Sequence, residues 1–458
     1  MALVLDVAQW AAEQFGVCEL GDVRRTRRAV KVAAQIASHP DGSTPRQTEL
    51  WGDLRAAYRL FDQDAVTFMA LTQPHWQQTR AQATGVCLVI NDTTETDFGI
   101  HRDVAGLGPT GDGDGRGFLL HSALLVQAET REVIGLAGQE LFYRQPTGRA
   151  MENSYERTQR ERESEVWGRV IDLIGPPPVG VKYLHVDDRG ADNFEVFCHL
   201  RQQDCGWVVR AAQLTRIVKT PEGRCVKLKD LLKEQPLLGT YELSVRATKK
   251  EPARVAELEV RCAAVTLIAP RRKTPYLRQI GPQEIDGWVV EAREVDPPAG
   301  ATPVRWVLYT SEPAATFEEA WKILGYYETR WMIEEFHKCL KTGCRLESRQ
   351  YMTAARLEAV AGMLCVVAVR LLQLKQIAQE QPELPAERAV PRAWLWMLRK
   401  LRPRPIKTVR DFVRHLAGLG GFLMRKRDGE PGWMTIWRGL DKLLLCLRGA
   451  HAAQERCG

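Results

Sequence analysis

The residues whose spacing carries the most chemistry lie between Tyr327 and Lys341, in the segment YETRWMIEEFHKCLK. At about 100° per residue on a helix, Tyr327, Arg330, Glu334, Lys338 and Lys341 share one face, and Met332, Ile333, Phe336, Cys339 and Leu340 fall on the other. An Arg330–Glu334 pair at i,i+4 could be an ordinary surface ion pair worth a few tenths of a kcal/mol. A carboxylate set among three cations and a tyrosine, opposite an apolar face, suits instead a metal ligand beside bound phosphates. Two more carboxylates stand where strands should end. Asp92 follows the run LVI and Asn91, and Asp188 closes VKYLHVDD at 181–188. Strand ends project side chains at one rim of a sheet, where sites form, although a lone aspartate there commonly serves only a turn.

These residues must be positioned by a mixed fold. From Ala8 to about Phe68 the apolar spacing is helical, interrupted by HPDGSTP at 39–45, which predicts a small basic helical domain. After Gly85 the pattern becomes extended: CLVI (87–90), FLLHSALLVQA (118–128) and EVIGLAGQELFYR (132–144) predict three strands of an antiparallel meander. The glycine-rich GLGPTGDGDGRG between the first two reads as a flexible loop, because Asp112 and Asp114 lack the bidentate glutamate of a calcium loop. A charged helix from about Ala150 to Leu173 stops at Gly175 and its prolines, and the strand ending at Asp188 follows. Residues from about 206 to 310 alternate as a β-rich insertion. Thr316 and Glu319 then form a capping box that opens the long helix carrying Glu334. The remainder is helical, with a proline-rich break around 382–405. This order is compatible with a ribonuclease-H-like α/β core interrupted by an insertion; pattern alone leaves other α+β orders open.

Composition bounds the function. With 458 residues, 45% hydrophobic and 26% charged, the chain is of globular type with two to four domains, not disordered or collagen-like. Eleven cysteines without a CxxC pair argue for reduced thiols and against a zinc ribbon. Asp6 and Glu13 interrupt any signal-peptide core, and the apolar run Ala359–Val369 is too short to span a membrane, so a soluble cytoplasmic protein is expected. The net charge of +7 is modest, but it is concentrated. Residues 22–31 carry five basic side chains against Asp22, and Arg399 to Arg427 carry ten against Asp411. A polyanion held at two places explains this; so does a solvated helix face at either one.

The spacing Tyr327-x2-Arg330-x3-Glu334-x6-Lys341 resembles the YREK signature of the bacterial insertion-sequence-four family of DDE transposases, and most of all its transposon-five type. LVINDTTETDF around Asp92 and VDDRGADNF around Asp188 resemble that family's first and second aspartate motifs. The likeness runs on through LGDVRRTRRAVKVAAQIA, GWVVRAAQ, TPVRWVLYTSEP, AVRLLQLKQ and LAGLGGFLMRKRDGEPGWMTIWRGL. It implies an α/β fold: a ribonuclease-H-like catalytic core over 71–375, an N-terminal helical DNA-end-binding domain over 1–70 and a helical dimerisation domain over 376–458. Asp92, Asp188 and Glu334 would form the triad that holds two Mg²⁺, with Mn²⁺ as substitute, for in-line phosphoryl transfer. Asp188 rather than Asp187 precedes Arg-x-Ala-Asp as the family motif requires, and Asp187 departs from the family residue. Tyr327, Arg330, Lys341 and Arg210 would grip phosphates near a flipped base, and Trp306 would stack on it. Lys338 shares that face and is counted with the DNA contacts. Arg24, Arg25, Arg27 and Arg28 would begin recognition of the terminal inverted repeats, and Gly420, Gly421 and Trp433 belong to the segment like the family's dimerisation helices. The implied activity is cut-and-paste transposition by a homodimer in the bacterial cytoplasm, associated with the nucleoid when on DNA, through hairpin ends and joining to target DNA. A catalytically silent relative or transposition inhibitor, or a ribonuclease-H-like nuclease for another substrate such as branched DNA, are the competing readings.

Overall fold

A computed structural model describes residues 7–48, 50–99, 104–144, 162–245, 251–281, 284–380, 382–425 and 428–457. Its centre is a mixed sheet whose first half is built from β1 (Val86–Asp97), β2 (Gly108–Thr110), β3 (Gly115–Gln127), β4 (Val133–Phe142), β5 (Lys182–Asp187) and β6 (Gly206–Arg210). The spatial order is β4-β3-β1-β5-β6; β3 runs antiparallel to β1 and β4, whereas β1, β5 and β6 are parallel. That is the strand order of a ribonuclease-H-like core. The expected insertion strands do not form a separate layer. β7 (Ile217–Lys219), β8 (Cys225–Lys227), β9 (Gly239–Val245), β10 (Arg254–Ile268), β11 (Glu284–Glu294) and β12 (Arg305–Thr310) extend the same sheet, because β12 returns antiparallel onto the outer edge of β6. β6 itself, expected within the insertion, is therefore the last core strand.

Alternation along the strands separates two cores. Leu88, Ile90, Leu120, Leu124, Leu184 and Val186 are buried on one face with residues of the helix Ala354–Glu380. Val89, Leu125, Ala137 and Tyr183 are buried on the other with the helices Val166–Ile174 and Phe194–Gln202. The Ala354–Glu380 helix is long and apolar enough to cross a membrane, but 89% of its most apolar window is buried inside the fold. Of the expected charged helix, residues 150–161 lie outside the described residues; from Glu163 a 3₁₀ turn leads into Val166–Ile174, and Gly175 ends it with φ of 75°.

Two other expectations change. The glycine-rich loop is partly ordered by pairing, since Gly108–Thr110 forms a hairpin with Gly115–Gly117. The long helix is broken at Arg330 into Phe317–Thr329, opened by the Thr316–Glu319 capping box, and Trp331–Lys338, followed by a π turn at Cys339–Gly343. The amide of Arg330 bonds to Tyr327 O, a tighter i−3 reach, so the regular wheel holds only approximately beyond it.

Before the sheet come the helices Val7–Phe15, Val23–Ser38, Thr44–Gln47, Trp51–Phe61 and Phe68–Ala81. The last packs against β4 and the Ala354–Glu380 helix. Arg349, 4% exposed, ties the N-terminal loop to the core: it donates to Pro40 O at 2.7 Å, Cys344 O at 2.6 Å, Gln47 Oε1 at 3.3 Å and Gly42 O. Four acceptors offset the desolvation of this buried guanidinium. After the core lie Ala386–Ala389, Arg392–Leu401, Val409–Leu419 and Trp433–Cys457. A Cβ on Gly420 would collide with Thr435 O, and one on Gly439 with Leu416 O, so glycines let the last two helices cross closely.

Candidate active site and DNA interface

Asp92 is not at the end of its strand. β1 continues to Asp97 because the 13-residue β3 supplies partners beyond the end of β5: Asp92 pairs with Ser122, while the pairing with β5 stops at Ile90↔Val186. The carboxylate thus stands where one neighbour ends and the other goes on. It shares the sheet face of Leu88 and Ile90, against which the Trp331–Lys338 helix packs. That helix brings Glu334, and Arg330 spans the gap: Nη1 is 3.4 Å from Asp92 Oδ2 and Nη2 is 2.9 Å from Glu334 Oε1. Asp188 caps the 3₁₀ turn after β5, accepting from Gly190 N at 2.7 Å. Burial, then the neighbouring charge of Asp188, push the Asp92 carboxyl up to about 6; the Thr93 amide and Arg330 oppose this, and Glu334 adds to it.

Asp187, one residue earlier, is fully buried and belongs to the opposite face. Its Oδ1 accepts from Asn91 Nδ2 at 2.8 Å, and the same amide approaches His185 Nδ1 at 3.1 Å. Burial drives the Asp187 carboxyl strongly upward, against the opposing Asn91 hydrogen bond. Sequence reasoning missed this Asn91–His185–Asp187 network beneath the site. The doublets Asn91-Asp92 and Asp187-Asp188 were its signal, since neighbours on strands face opposite ways.

Asp92, Asp188 and Glu334 are hard-oxygen donors of the kind a divalent cation takes. In the arrangement seen, no three His, Cys, Asp or Glu side chains among the described residues are gathered to hold one ion. The Arg330 guanidinium sits between two of them.

Three family matches cover most of the chain. Residues 7–66 match Transposase DNA-binding, residues 154–370 match Transposase DDE domain, and residues 366–457 match Transposase Tn5 dimerisation domain. The chain belongs to the DDE transposases of the Tn5 type. It is therefore a metal-dependent nuclease and strand transferase that binds DNA and forms dimers.

Around the carboxylates the transposase arranges its other expected residues unevenly. Tyr327 is buried rather than presented, with its ring edge-on to Trp306 at 5.7 Å between centroids. Arg210 pairs with Leu308 on the strand of Trp306 and donates to Arg305 O at 3.2 Å, so Arg210, Trp306 and Tyr327 lie near the β6/β12 junction. Lys341 turns toward Glu95 O and Glu347, the latter at 3.2 Å. Lys338 turns away to Glu335 at 3.1 Å and lies over the Trp331 ring at 4.9 Å. In the N-terminal helix Val23–Ser38, Arg24 is exposed and pairs with its N-cap Asp22, and Arg27 is exposed. Arg25 donates to Leu20 O at 3.1 Å, and Arg28 is clasped by Asp53 at 2.8 Å, which also binds Lys31. The four arginines thus do not form one DNA-facing row. Gly420 follows the Val409–Leu419 helix, Gly421 takes φ of 100°, and Trp433 opens the last helix, its side chain lying outside the described residues.

Proposed function

We propose that this transposase performs cut-and-paste transposition: it binds terminal inverted repeats, cleaves the ends through a hairpin and joins the 3′-hydroxyls to target DNA. The observation that carries the reading is the approach of Asp92, Asp188 and Glu334 from three separate elements, with Arg330 between two of them. The proposed triad would hold two Mg²⁺ ions, or Mn²⁺, which when bound supply Lewis-acid activation of the attacking oxygen and stabilisation of the leaving one. Asp92 must shed its proton to act as a ligand, and burial, with the charge of Asp188 beside it, holds its pKa up at about 6. Lys341 and Arg330 would orient the scissile phosphate, with Arg210 and Tyr327 near the cut end. Trp306, half-buried at the rim, would receive an unstacked base. Domain limits of 1–70, 71–375 and 376–458, a cytoplasmic location and trans catalysis by the homodimer belong to the same proposal.

The test is incubation of the protein with Mg²⁺ and linear DNA carrying its own terminal repeats. Nicks followed by hairpins at the ends are expected; tight binding with no strand cleavage at any end would overturn the enzymatic reading in favour of a silent end-binding protein, and cleavage of branched DNA indifferent to the ends would favour a junction nuclease.

A further inference from the structure

Arg330 occupies the place between Asp92 and Glu334 that a cation would take. Its position follows from the chain: it is the residue at which the Phe317–Thr329 helix gives way to Trp331–Lys338, one turn before Glu334. Its side chain is 16% exposed and divides its two Nη atoms between the two carboxylates. The neighbouring lysines do not share this work. Lys338 is spent on Glu335 and Trp331, and Lys341 on Glu95 and Glu347. Among the described residues, Arg330 is the one cation bonded to these carboxylates.

We infer that Arg330 is an internal counter-ion which holds the carboxylates together in the free protein and competes with the divalent cation for them, so that metal entry is coupled to DNA binding. The inference rests on the reading of Asp92, Asp188 and Glu334 as the metal site. A guanidinium stays protonated at any working pH, so Arg330 cannot vacate by losing charge. It leaves only when another anion accepts its donors. A DNA phosphate offers two oxygens in the matching fork geometry, which a lysine would not exploit equally. Phosphate at the cut therefore removes the competitor and opens Asp92 and Glu334 together. By linkage, DNA tightens metal binding and metal tightens DNA binding by the same factor. The arrangement would keep a nuclease from arming itself before its substrate is seated.

The experiment measures Mn²⁺ binding to the full chain by electron paramagnetic resonance, without any turnover. In the absence of DNA, Arg330→Gln should bind Mn²⁺ about tenfold more tightly than the unaltered chain, within the usual range of coupling between sites. Lys341→Gln removes the same charge without freeing either carboxylate and should gain no more than about twofold by through-space screening. Equal affinities for the unaltered chain and Arg330→Gln, or an equal gain in Lys341→Gln, would overturn the inference. A duplex of the protein's own transposon end, corrected for ions held by the DNA alone, should tighten Mn²⁺ binding to the unaltered chain. No tightening there overturns the inference without any variant. Adding Asp92→Asn to Arg330→Gln separates the underlying reading: loss of the tight ion supports the carboxylate site, and its persistence refutes that site itself.

Discussion

Arg330 and Arg349 lie 19 positions apart, and both guanidiniums are largely buried, yet they are satisfied in opposite ways. Arg349 is held by three backbone carbonyls and the Gln47 amide. Those acceptors belong to the backbone and to Gln47, and through them Arg349 joins the N-terminal loop to the core. Arg330 is held by two carboxylates whose mutual repulsion invites any stronger cation. The two differ in their hydrogen-bond acceptors: carbonyl dipoles built into the fold hold the first, and two carboxylates that another cation can also bind hold the second.

The comparison is broken most severely at the carboxylates. Asp92→Asn, Asp188→Asn and Glu334→Gln should each lower strand cleavage by about 10³-fold or more while DNA binding, followed by gel shift, persists. Retained cleavage by Asp188→Asn would move that role to the buried Asp187. At Arg349, substitution by Met should cost about 3 kcal/mol of stability, because carbonyls of Pro40, Gly42 and Cys344 lose their donor; Arg330→Gln should cost less, about 1 kcal/mol, because Asp92 and Glu334 stay 22% and 33% exposed to water. Thermal melts of the two variants measure this contrast, and equal losses would erase it.

A second contact between the N-terminal helices and the sheet sharpens it by pH. His75 is buried, Nε2 accepts from Leu136 N at 3.2 Å, and Nδ1 therefore donates to Gln14 Oε1 at 2.6 Å. Burial lowers its pKa to about 4 from an ordinary value near 6.5. The neutral ring's contribution is fully present above pH 6.5 and is lost as pH falls toward 4, amounting to about 3 kcal/mol at the lower limit. A His75→Gln variant should show a correspondingly flatter fall in melting temperature across that window. The smallest effect is expected among the N-terminal arginines. Arg27→Ala should weaken DNA binding and reduce its salt slope by about one, whereas Arg28→Ala, which leaves Asp53 to Lys31 alone, should act on stability by about 1 kcal/mol or less.

Much of the site was legible in the sequence, since helix spacing alone sets Arg330 four residues before Glu334, and the strand pattern isolates Asp92 and Asp188. Less legible was anything that depends on a distant partner. Asp92 read as a strand end because its apolar run stops, but β3 carries β1 five residues further. Arg28 read as a DNA contact like its neighbours because nothing local announces Asp53, 25 residues away. Alternation marks the insertion as β-rich but cannot say whether its strands open a new sheet or, as here through β12 and β6, extend an old one.

By itself the sequence determined the types and local spacing of the candidate groups, the strands and helix near which they lie and the family to which the chain belongs, because those are consequences of short-range periodicity and of residue chemistry. Only the tertiary structure decided that Asp187 is buried on the opposite sheet face from Asp92, and that Arg330, 238 positions along the chain from Asp92, bridges it to Glu334. Sheet register and helix docking set those distances, and neither is a local property.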